Sequence, residues 1–251
     1  MPIPYPTMDE QQKIVAHLDE KCGEIDKVVV SKQKQNEQLA EYRQSLITEA
    51  VTKGLKPLAP MQDSGIEWIG EIPEDWTETK GKYCFDITTG RLDANAEEID
   101  GIYPFFTCSN RIKKINTYAF DCEALLIAGN GDVGYTQYYN GKFNAYQRTY
   151  VLRNFSMDIY PIYVKYYFLG LFKQSIKTKF VGSVIDFIKV GDLQNFKICF
   201  PRLDRQRDIA HFLDNKLEVI DKIIDDKNDL IIKLKEYRQT IINEAVTKGL
   251  D

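Results

Sequence analysis

Two short polar clusters near the middle of the sequence carry side chains suited to hydrogen bonding with base edges and phosphates. Arg can bind guanine through two hydrogen bonds, Asn and Gln can bind adenine in the same way, and Lys mostly contacts phosphate. The clusters are Ser109-Asn110-Arg111-Ile112-Lys113-Lys114 and Asn144-Ala145-Tyr146-Gln147-Arg148-Thr149. The chemistry that these residue types predict is nucleic-acid recognition.

A third, basic segment follows further along the chain, with Lys173, Lys177 and Lys179 preceding Gly182 and Ser183. It is suited to contacts with a phosphate backbone. Taken singly, each of these clusters is also typical of ordinary solvated surface. We expect Tyr138, Tyr150 and Phe187 to belong to the core. The predicted nucleic-acid-contacting residues are Ser109, Asn110, Arg111, Lys113, Lys114, Asn144, Tyr146, Gln147, Arg148, Lys177, Lys179 and Ser183.

The charge distribution supports this interpretation better than the net charge does. The whole chain carries −4, which is unfavourable for binding a polyanion. Residues 101–195, however, contain eleven basic and six acidic side chains, a net +5, whereas residues 56–100 carry four and eleven, a net −7. Residues 101–200 also hold 22 of the 28 Tyr and Phe residues. Both the core and a basic surface should therefore be concentrated there.

Enzymatic chemistry finds little support in the sequence. Two histidines and five widely spaced cysteines without a C-x-x-C pair give no familiar metal or triad pattern. Residues 129–134 fit the formula G-x-G-x-x-G, but a β-rich segment follows where a phosphate-binding helix is required, so we interpret them as a hairpin. Asp93, Glu97 and Glu98 could form a metal cluster, although a solvated acidic turn is the favoured interpretation. We expect no catalytic, cofactor or metal site.

An internal repeat organises the two ends of the chain. A shift of 195 positions aligns residues 11–55 with residues 206–250 without a gap, and 22 of the 45 positions are identical. The register extends upstream, where Ile3 and Pro6 fall on Ile198 and Pro201. The chain therefore begins with the counterpart of the segment that follows its central region.

Each copy of the repeat predicts one long helix, bounded by a proline and by a C′ glycine at Gly54 or Gly249. The heptad spacing of the apolar residues predicts that the two helices form a coiled coil. The polar residues Lys32, Gln35 and Lys227 interrupt the stripe, either as a layer that fixes the register or as a solvated kink. The stripe residues are Leu18, Ile25, Leu39 and Leu46 in the first arm and Leu213, Ile220, Leu234 and Ile241 in the second.

The region between the arms differs in character. Short β-rich runs at 82–88, 103–108, 124–128, 135–139, 148–153 and 196–200 predict strands, with hairpin turns at Gly131-Asp132 and Asn140-Gly141. Residues 160–180 predict a helix. The sequence thus indicates an α+β fold in three parts: a helical region at 1–55, an α+β domain at 56–200 and a second helical region at 201–251.

No apolar stretch approaches the length of about 20 residues that a membrane helix needs. The first residues contain neither a basic segment nor an apolar signal core. We expect a cytoplasmic protein.

Several motifs resemble the specificity subunit of type I restriction-modification systems. The most specific is the run D-S-G-I-E-W-I-G-E-I-P-E-D-W at residues 63–76. It is accompanied by residues 11–19 ahead of the heptads, the run at 143–149, and the pair of segments 182–185 and 192–196. The similarity extends over essentially the whole chain.

This resemblance implies an antiparallel helix pair carrying a target recognition domain that reads one half of a bipartite DNA site. It implies no catalysis by the chain itself, because methyltransferase subunits carrying S-adenosylmethionine and restriction subunits supply the chemistry. Family members usually hold two recognition domains, whereas this chain has one. We therefore expect either a homodimer or a pairing with a different split chain. The alternative function is a coiled-coil scaffold with a protein-interaction domain; an independent DNA-modifying enzyme would lack its catalytic residues.

Overall fold

The computed structural model describes residues 6–56, 59–177 and 187–250. They form two compact units. The helical pair consists of the chain up to Arg43 together with the chain from Asn215 onward, and the central unit is Gln44–Asp214. Two helices, α1 (Met8–Lys53) and α5 (Leu203–Lys248), contribute residues to both units.

The predicted long helices are confirmed, each with 46 residues. Each ends at a glycine with positive φ, +74° at Gly54 and +83° at Gly249. A glycine adopts this left-handed conformation without the steric penalty that a Cβ atom would bring. The repeated sequence therefore ends both helices in the same way.

Within the helical pair the two helices run antiparallel. Arg43 Nε lies 2.9 Å from Asp221 Oδ1, and Arg238 Nε lies 3.1 Å from Asp26 Oδ1. The second ion pair is the first one shifted by the repeat, so these two contacts are related by an approximate twofold axis. An apolar seam lies between the helices, consisting of Ile25, Val29, Ile231, Leu234 and Ile241. The predicted coiled coil is confirmed.

The polar interruption of the seam is a hydrogen-bonded layer. Lys227 Nζ donates to Gln35 Oε1 at 2.5 Å, and Asn36 Nδ2 donates to Asn228 Oδ1 at 2.8 Å. Such pairs form only when the two helices are in one register. The structure therefore favours a register-fixing layer over a solvated kink.

The central unit is built around a six-stranded sheet with the order β4-β9-β7-β8-β5-β6. Neighbouring strands are antiparallel except β5 and β8, which are parallel. Two small antiparallel pairs, β1 with β2 and β3 with β10, complete the strands. Their bounds are β1 Met61–Asp63, β2 Glu71–Pro73, β3 Thr77–Lys80, β4 Asp86–Thr89, β5 Tyr103–Phe106, β6 Lys113–Ile115, β7 Phe120–Ala128, β8 Thr136–Ala145, β9 Thr149–Arg153 and β10 Lys197–Phe200.

The large sheet curls on itself around an apolar core. Thr149 Oγ1, at the start of β9, donates to Phe106 O at the end of β5 at 3.4 Å, although β9 and β5 are not neighbours in the strand order. The curled sheet encloses one cluster of buried side chains. Its members are Phe106, Ala124, Leu126, Phe143, Ala145 and Val151.

Two local predictions fail in this region. Residues 81–83 form a 3-10 turn and β4 begins only at Asp86, so the predicted strand at 82–88 starts too early. The predicted turn at Asn140-Gly141 is wrong, since both residues lie inside β8 and pair with Glu123 and Cys122 of β7. A continuous ladder outweighs the turn preference of Asn-Gly. The predicted hairpin at Gly131-Asp132 is confirmed between β7 and β8.

The remaining helices of the central unit are short. Helix α2 (Pro161–Tyr167) continues through a π-helical segment, Phe168–Phe172, into α3 (Lys173–Lys177), and α4 spans Val190–Gln194. The predicted helix at 160–180 is thus confirmed as far as Lys177. Its last residues lie outside the described part of the chain.

The last turns of α1 pack closely on this π-helical segment. A Cβ atom at Gly170 would lie 3.1 Å from Ile47 Cγ2, so only glycine allows the two backbones to approach without adjustment. Gln44 Nε2 donates to Gly170 O at 3.0 Å. The buried Tyr163 hydroxyl donates to Cys199 O at 2.7 Å and lies 3.2 Å from Val51 O. Burial raises the pKa of Tyr163 well above its ordinary value, which keeps this donor neutral.

Candidate nucleic-acid interface

The two predicted polar clusters lie side by side in the folded central unit. The first cluster, Ser109–Lys114, covers the connection from β5 to β6 and the first two residues of β6, and the turn from β8 to β9 carries residues 146–148. We call these two segments the reading loops. Tyr146 N donates to Phe106 O at 2.9 Å, and Cys108 Sγ donates to Arg148 O at 3.3 Å. Segments separated by about forty positions in the sequence are therefore in direct contact.

The sheet topology explains this proximity. Strands β5 and β8 are parallel neighbours, with Phe106 opposite Ala145. The connections that follow these two strands therefore leave the sheet at the same end. The hairpin at residues 129–135 lies beside them, since Gly129 N donates to Arg148 O at 3.0 Å. At the beginning of β8, Gln137 Nε2 donates to Ser109 O at 3.2 Å. Three connections of the sheet thus meet at one end.

Most of the predicted contact residues in the reading loops are accessible. Asn110, Arg111, Lys114, Gln147 and Arg148 are exposed. Ser109, Lys113 and Tyr146 are half-buried. Within the described ranges, no carboxylate lies within 4 Å of the Arg148 guanidinium or of the Lys114 ammonium group. These two cations are not neutralised by a neighbouring acid of that part of the chain.

Asn144 differs from the other predicted contact residues because it is buried in β8. Its Nδ2 donates to Thr117 O at 3.4 Å, and Ala145 N donates to its Oδ1 at 3.0 Å. Both ends of the amide are therefore used inside the fold, where they support the strand that leads into the second reading loop.

The basic segment predicted after α2 is described only in part. Lys177 is exposed at the end of α3. Lys173 Nζ lies 2.8 Å from Asp132 Oδ1, which attaches this helix to the β7–β8 hairpin and so to the same end of the sheet. Lys179 and Ser183 lie outside the described residues.

The aromatic residues near this end behave differently from one another. The Tyr150 hydroxyl donates to Ile188 O at 3.0 Å, and burial raises its pKa, so it stays a neutral donor. Tyr138 is half-buried and donates to Glu123. The prediction that Phe187 belongs to the core is wrong: the ring is 48% exposed, and Phe187 pairs with Asn130 of the hairpin. Local hydrophobicity gave no signal that this pairing would leave the ring at the surface.

An acidic segment that the sequence analysis interpreted as a solvated turn instead contacts both reading loops. We call residues 91–98 the acidic strap. Gln147 Nε2 donates to Asp93 Oδ1 at 3.0 Å. Glu97 forms ion pairs with Arg111 at 3.1 Å and with Lys113 at 3.3 Å. The strap is the part of the site that sequence reasoning missed, because its partners are distant in the chain.

Other kinds of site find no support in the part of the chain that is described. There, no group of three or more His, Cys, Asp or Glu side chains is arranged to hold a metal ion. No helix among the same residues is long and apolar enough to cross a membrane.

Comparison with known proteins agrees with this geometry. Residues 73–235 match the family model of the type I restriction modification DNA specificity domain. The specificity subunit of the type I restriction enzyme EcoDI of Escherichia coli is 38% identical over 185 residues, which cover 72% of this chain and 40% of that protein. The MjaVIII specificity subunit of Methanocaldococcus jannaschii is 23% identical over 98% of this chain and 61% of its own length.

Solved structures show the same fold at lower sequence identity. A chain from a type I R-M system, solved to show complex assembly and conformational transition, matches with a TM-score of 0.72 at 20% identity. The match covers 99% of this chain and 62% of the chain from that system. The HsdS subunit of Thermoanaerobacter tengcongensis matches with a TM-score of 0.53, also at 20% identity, over 61% of its length. This chain thus spans between 40% and 62% of the proteins that it matches.

Proposed function

Because this chain belongs to the type I restriction modification DNA specificity domain family, we propose that it is a non-catalytic subunit that reads one half of a bipartite DNA site. The observation that carries this proposal is the meeting of the two reading loops at one end of the sheet. Asn110, Arg111, Gln147 and Arg148 are exposed there together. Amide and guanidinium groups are the donors that distinguish adenine and guanine in the major groove.

Charge supports the same surface. The region that supplies the reading loops carries a net +5 within a chain of net −4. Lys114 and Arg148, which form no ion pair with an acid of the described ranges, are suited to phosphate contact, and Lys177 extends the basic surface. Lys179 and Ser183 stay predicted contacts, and Asn144 takes a supporting place behind the second loop.

Salt dependence of DNA binding tests the proposal. Affinity of the full chain for a fluorescent 30-base-pair duplex should fall steeply as salt rises from 50 to 200 mM, since phosphate contacts release counterions. Arg148→Ala and Arg111→Ala should each weaken binding. The matched control is Arg202→Ala, an exposed arginine at the beginning of α5.

The outcomes separate the function classes. An equal loss for every duplex sequence would assign Arg148 to phosphate, and a loss confined to one sequence would assign it to a base. Binding that is absent at low salt would contradict the proposal and favour the coiled-coil scaffold.

We propose further that methyltransferase and restriction subunits of such a system dock on the helices of this chain in the cytoplasm and supply all catalysis. The relatives are named as restriction-enzyme subunits, which supports partners of this kind. Co-purification of a methyltransferase subunit with the full chain tests this. Methylation activity in this chain alone would contradict it.

The helical repeat supports a second copy of the chain as the partner. In the central unit, the last turns of α1 line a depression shared with Met61 and Glu71. The helical pair has a depression lined by the same positions of the repeat, and its lining contains only residues of the two helices and the two residues after α5. The matching residues are Leu46 and Ile241, Glu49 and Glu244, Ala50 and Ala245, Lys53 and Lys248, Gly54 and Gly249, Leu55 and Leu250, and Phe212 and His17.

We therefore propose that the central unit of a second copy packs on the helical pair as it packs on the last turns of its own α1, and the reverse, in an isologous dimer. Sedimentation velocity above micromolar concentration should show a dimer. Val246→Asp should prevent dimerisation, because Val246 is the repeat counterpart of the buried Val51. Val219→Asp, at another exposed valine of α5, should leave it intact. A strictly monomeric chain would contradict self-association and favour a different split chain.

A further inference from the structure

The acidic strap contacts the side chains that the proposed function assigns to base reading. Its backbone lies along the second reading loop, where Gln147 N donates to Leu92 O at 2.9 Å and Leu92 pairs with Tyr146. It then reaches the first loop, where Lys113 Nζ donates to Ala94 O at 2.9 Å and Glu98 N donates to Lys114 O at 2.9 Å. One segment thus ties the two loops together.

The carboxylate of Asp93 fixes the orientation of an amide. A carboxylate only accepts hydrogen bonds, so Gln147 must turn its NH₂ group toward Asp93, at 3.0 Å. Among the described residues, the carbonyl oxygen and the second N–H of Gln147 have no other partner. These are the acceptor and the donor that an adenine contact requires.

Glu97 acts on the other loop in the same way. One oxygen lies 3.1 Å from Arg111 and the other 3.3 Å from Lys113. The Arg111 side chain is largely exposed, whereas Glu97 and Lys113 are more buried. The guanidinium group is therefore held at one edge while its other N–H donors face solvent.

Carboxylates at this place have an electrostatic cost, since they repel phosphate. We propose that Asp93 and Glu97 are positioning residues that determine the base preference of the reading loops, Asp93 through Gln147 and Glu97 through Arg111. This inference rests on the proposed function. Its consequence is that removal of the Asp93 acceptor changes which bases are preferred, beyond the uniform gain in affinity that follows from removing one negative charge.

The test is selection of DNA by the full chain from a duplex library with a 12-base-pair randomised segment. Asp93→Ala should lower discrimination at one base pair about 10-fold, the scale of a lost bidentate contact. Asp93→Asn keeps an acceptor oxygen and should keep discrimination within about 2-fold of the parent. The matched control is Asp100→Ala, which removes an exposed carboxylate of the same connection that has no partner among the described residues.

Gln147→Ala keeps the test decisive if Asp93→Ala lowers the melting temperature. It should lose preference at the same base pair, and the double variant should lose no more than Gln147→Ala alone. Equal behaviour of Asp93→Ala, Asp93→Asn and Asp100→Ala would overturn the inference, as would a Gln147→Ala variant with the parent's preference. A parent that selects no sequence would overturn the proposed function itself, and that result is distinguishable from the others.

Discussion

The two copies of the internal repeat have similar sequences and different surroundings. Val51 is 0% exposed in the central unit, whereas its counterpart Val246 is 64% exposed in the helical pair. At the other helix ends, Ala210 is 1% exposed and its counterpart Val15 is 57% exposed. An apolar residue at each of these positions suits a buried contact. The sequence therefore encodes the same packing surface twice, and the described chain covers it once.

Gln206 and its counterpart Gln11 have one hydrogen bond in common, and Gln206 has two more that come from the central unit. Each donates to the carbonyl oxygen of the proline five positions earlier, Pro201 at 2.8 Å and Pro6 at 2.9 Å. Gln206 also donates to Asp158 O at 2.7 Å and accepts from Tyr160 N at 2.8 Å. The bond to proline belongs to the helix end itself, and the other two come from the central unit.

The largest contrast is expected from a charge placed at the paired valines. Val51→Asp buries a carboxylate with no partner and should lower the free energy of unfolding by about 4 kcal/mol. Val246→Asp should change the free energy of unfolding of the dissociated monomer, measured at low protein concentration, by less than about 0.5 kcal/mol, because that side chain is exposed in the single chain. Urea unfolding followed by the fluorescence of Trp68 and Trp76, with circular dichroism for the helices, measures both. Similar losses in the two variants would contradict the comparison.

The helices could be predicted because their signals are local and repeated. The signals are an apolar period of 3.5 residues, a proline before the first turn and a glycine after the last turn. Each of them depends on residues that are only a few positions apart in the sequence. For the reading loops, the sequence predicted only which residue types could contact nucleic acid. It did not predict that the loops meet, because their contact depends on the parallel pairing of β5 with β8. Composition identified the donors and topology brought them together.

The acidic strap shows where such prediction ends. Asp93 contacts Gln147 across 54 positions, and Arg111 contacts Glu97 across 14. No local pattern distinguishes a carboxylate that orients a neighbour from one that is only solvated. The turn predicted at Asn140-Gly141 is wrong for a related reason, because strand pairing with β7 decides the conformation of these two residues.

The glutamine pair should give the second largest contrast. Gln206→Ala removes a fully buried side chain and leaves backbone groups of Asp158, Tyr160 and Pro201 without their partner, and should cost about 2 kcal/mol. Gln11→Ala loses one bond and should cost no more than about 0.5 kcal/mol. Urea midpoints at constant m-value measure the difference. If Gln11→Ala were as costly as Gln206→Ala, the bond to proline would account for the whole effect.

A substitution in the polar layer between the two long helices should raise the free energy of unfolding instead of lowering it. Asn36 occupies the repeat position of the buried seam residue Ile231, and in the described chain its Oδ1 is buried without a hydrogen-bond partner. Asn36→Ile should therefore raise the free energy of unfolding by about 1 kcal/mol, because seam polarity lowers stability while it fixes register. Thermal unfolding by circular dichroism measures this. Asn228→Ala, at the exposed partner, is the control and should have little effect; a loss of stability in Asn36→Ile would show that the layer stabilises the pair outright.

The two symmetric ion pairs should show the smallest effect and no contrast. Arg43→Ala and Arg238→Ala each remove an exposed pair and should each cost about 0.5 kcal/mol or less at low salt. Their costs should be equal, because the repeat places both pairs in the same geometry within the helical pair, and both should vanish in 1 M salt, where exposed charges are screened. Unfolding in urea at two salt concentrations gives the comparison. A cost that differs several-fold between the two variants would show that the two ion pairs are not equivalent in energy despite their matching geometry. It would then contradict the equivalence of the two repeats, on which the proposed second docking surface depends.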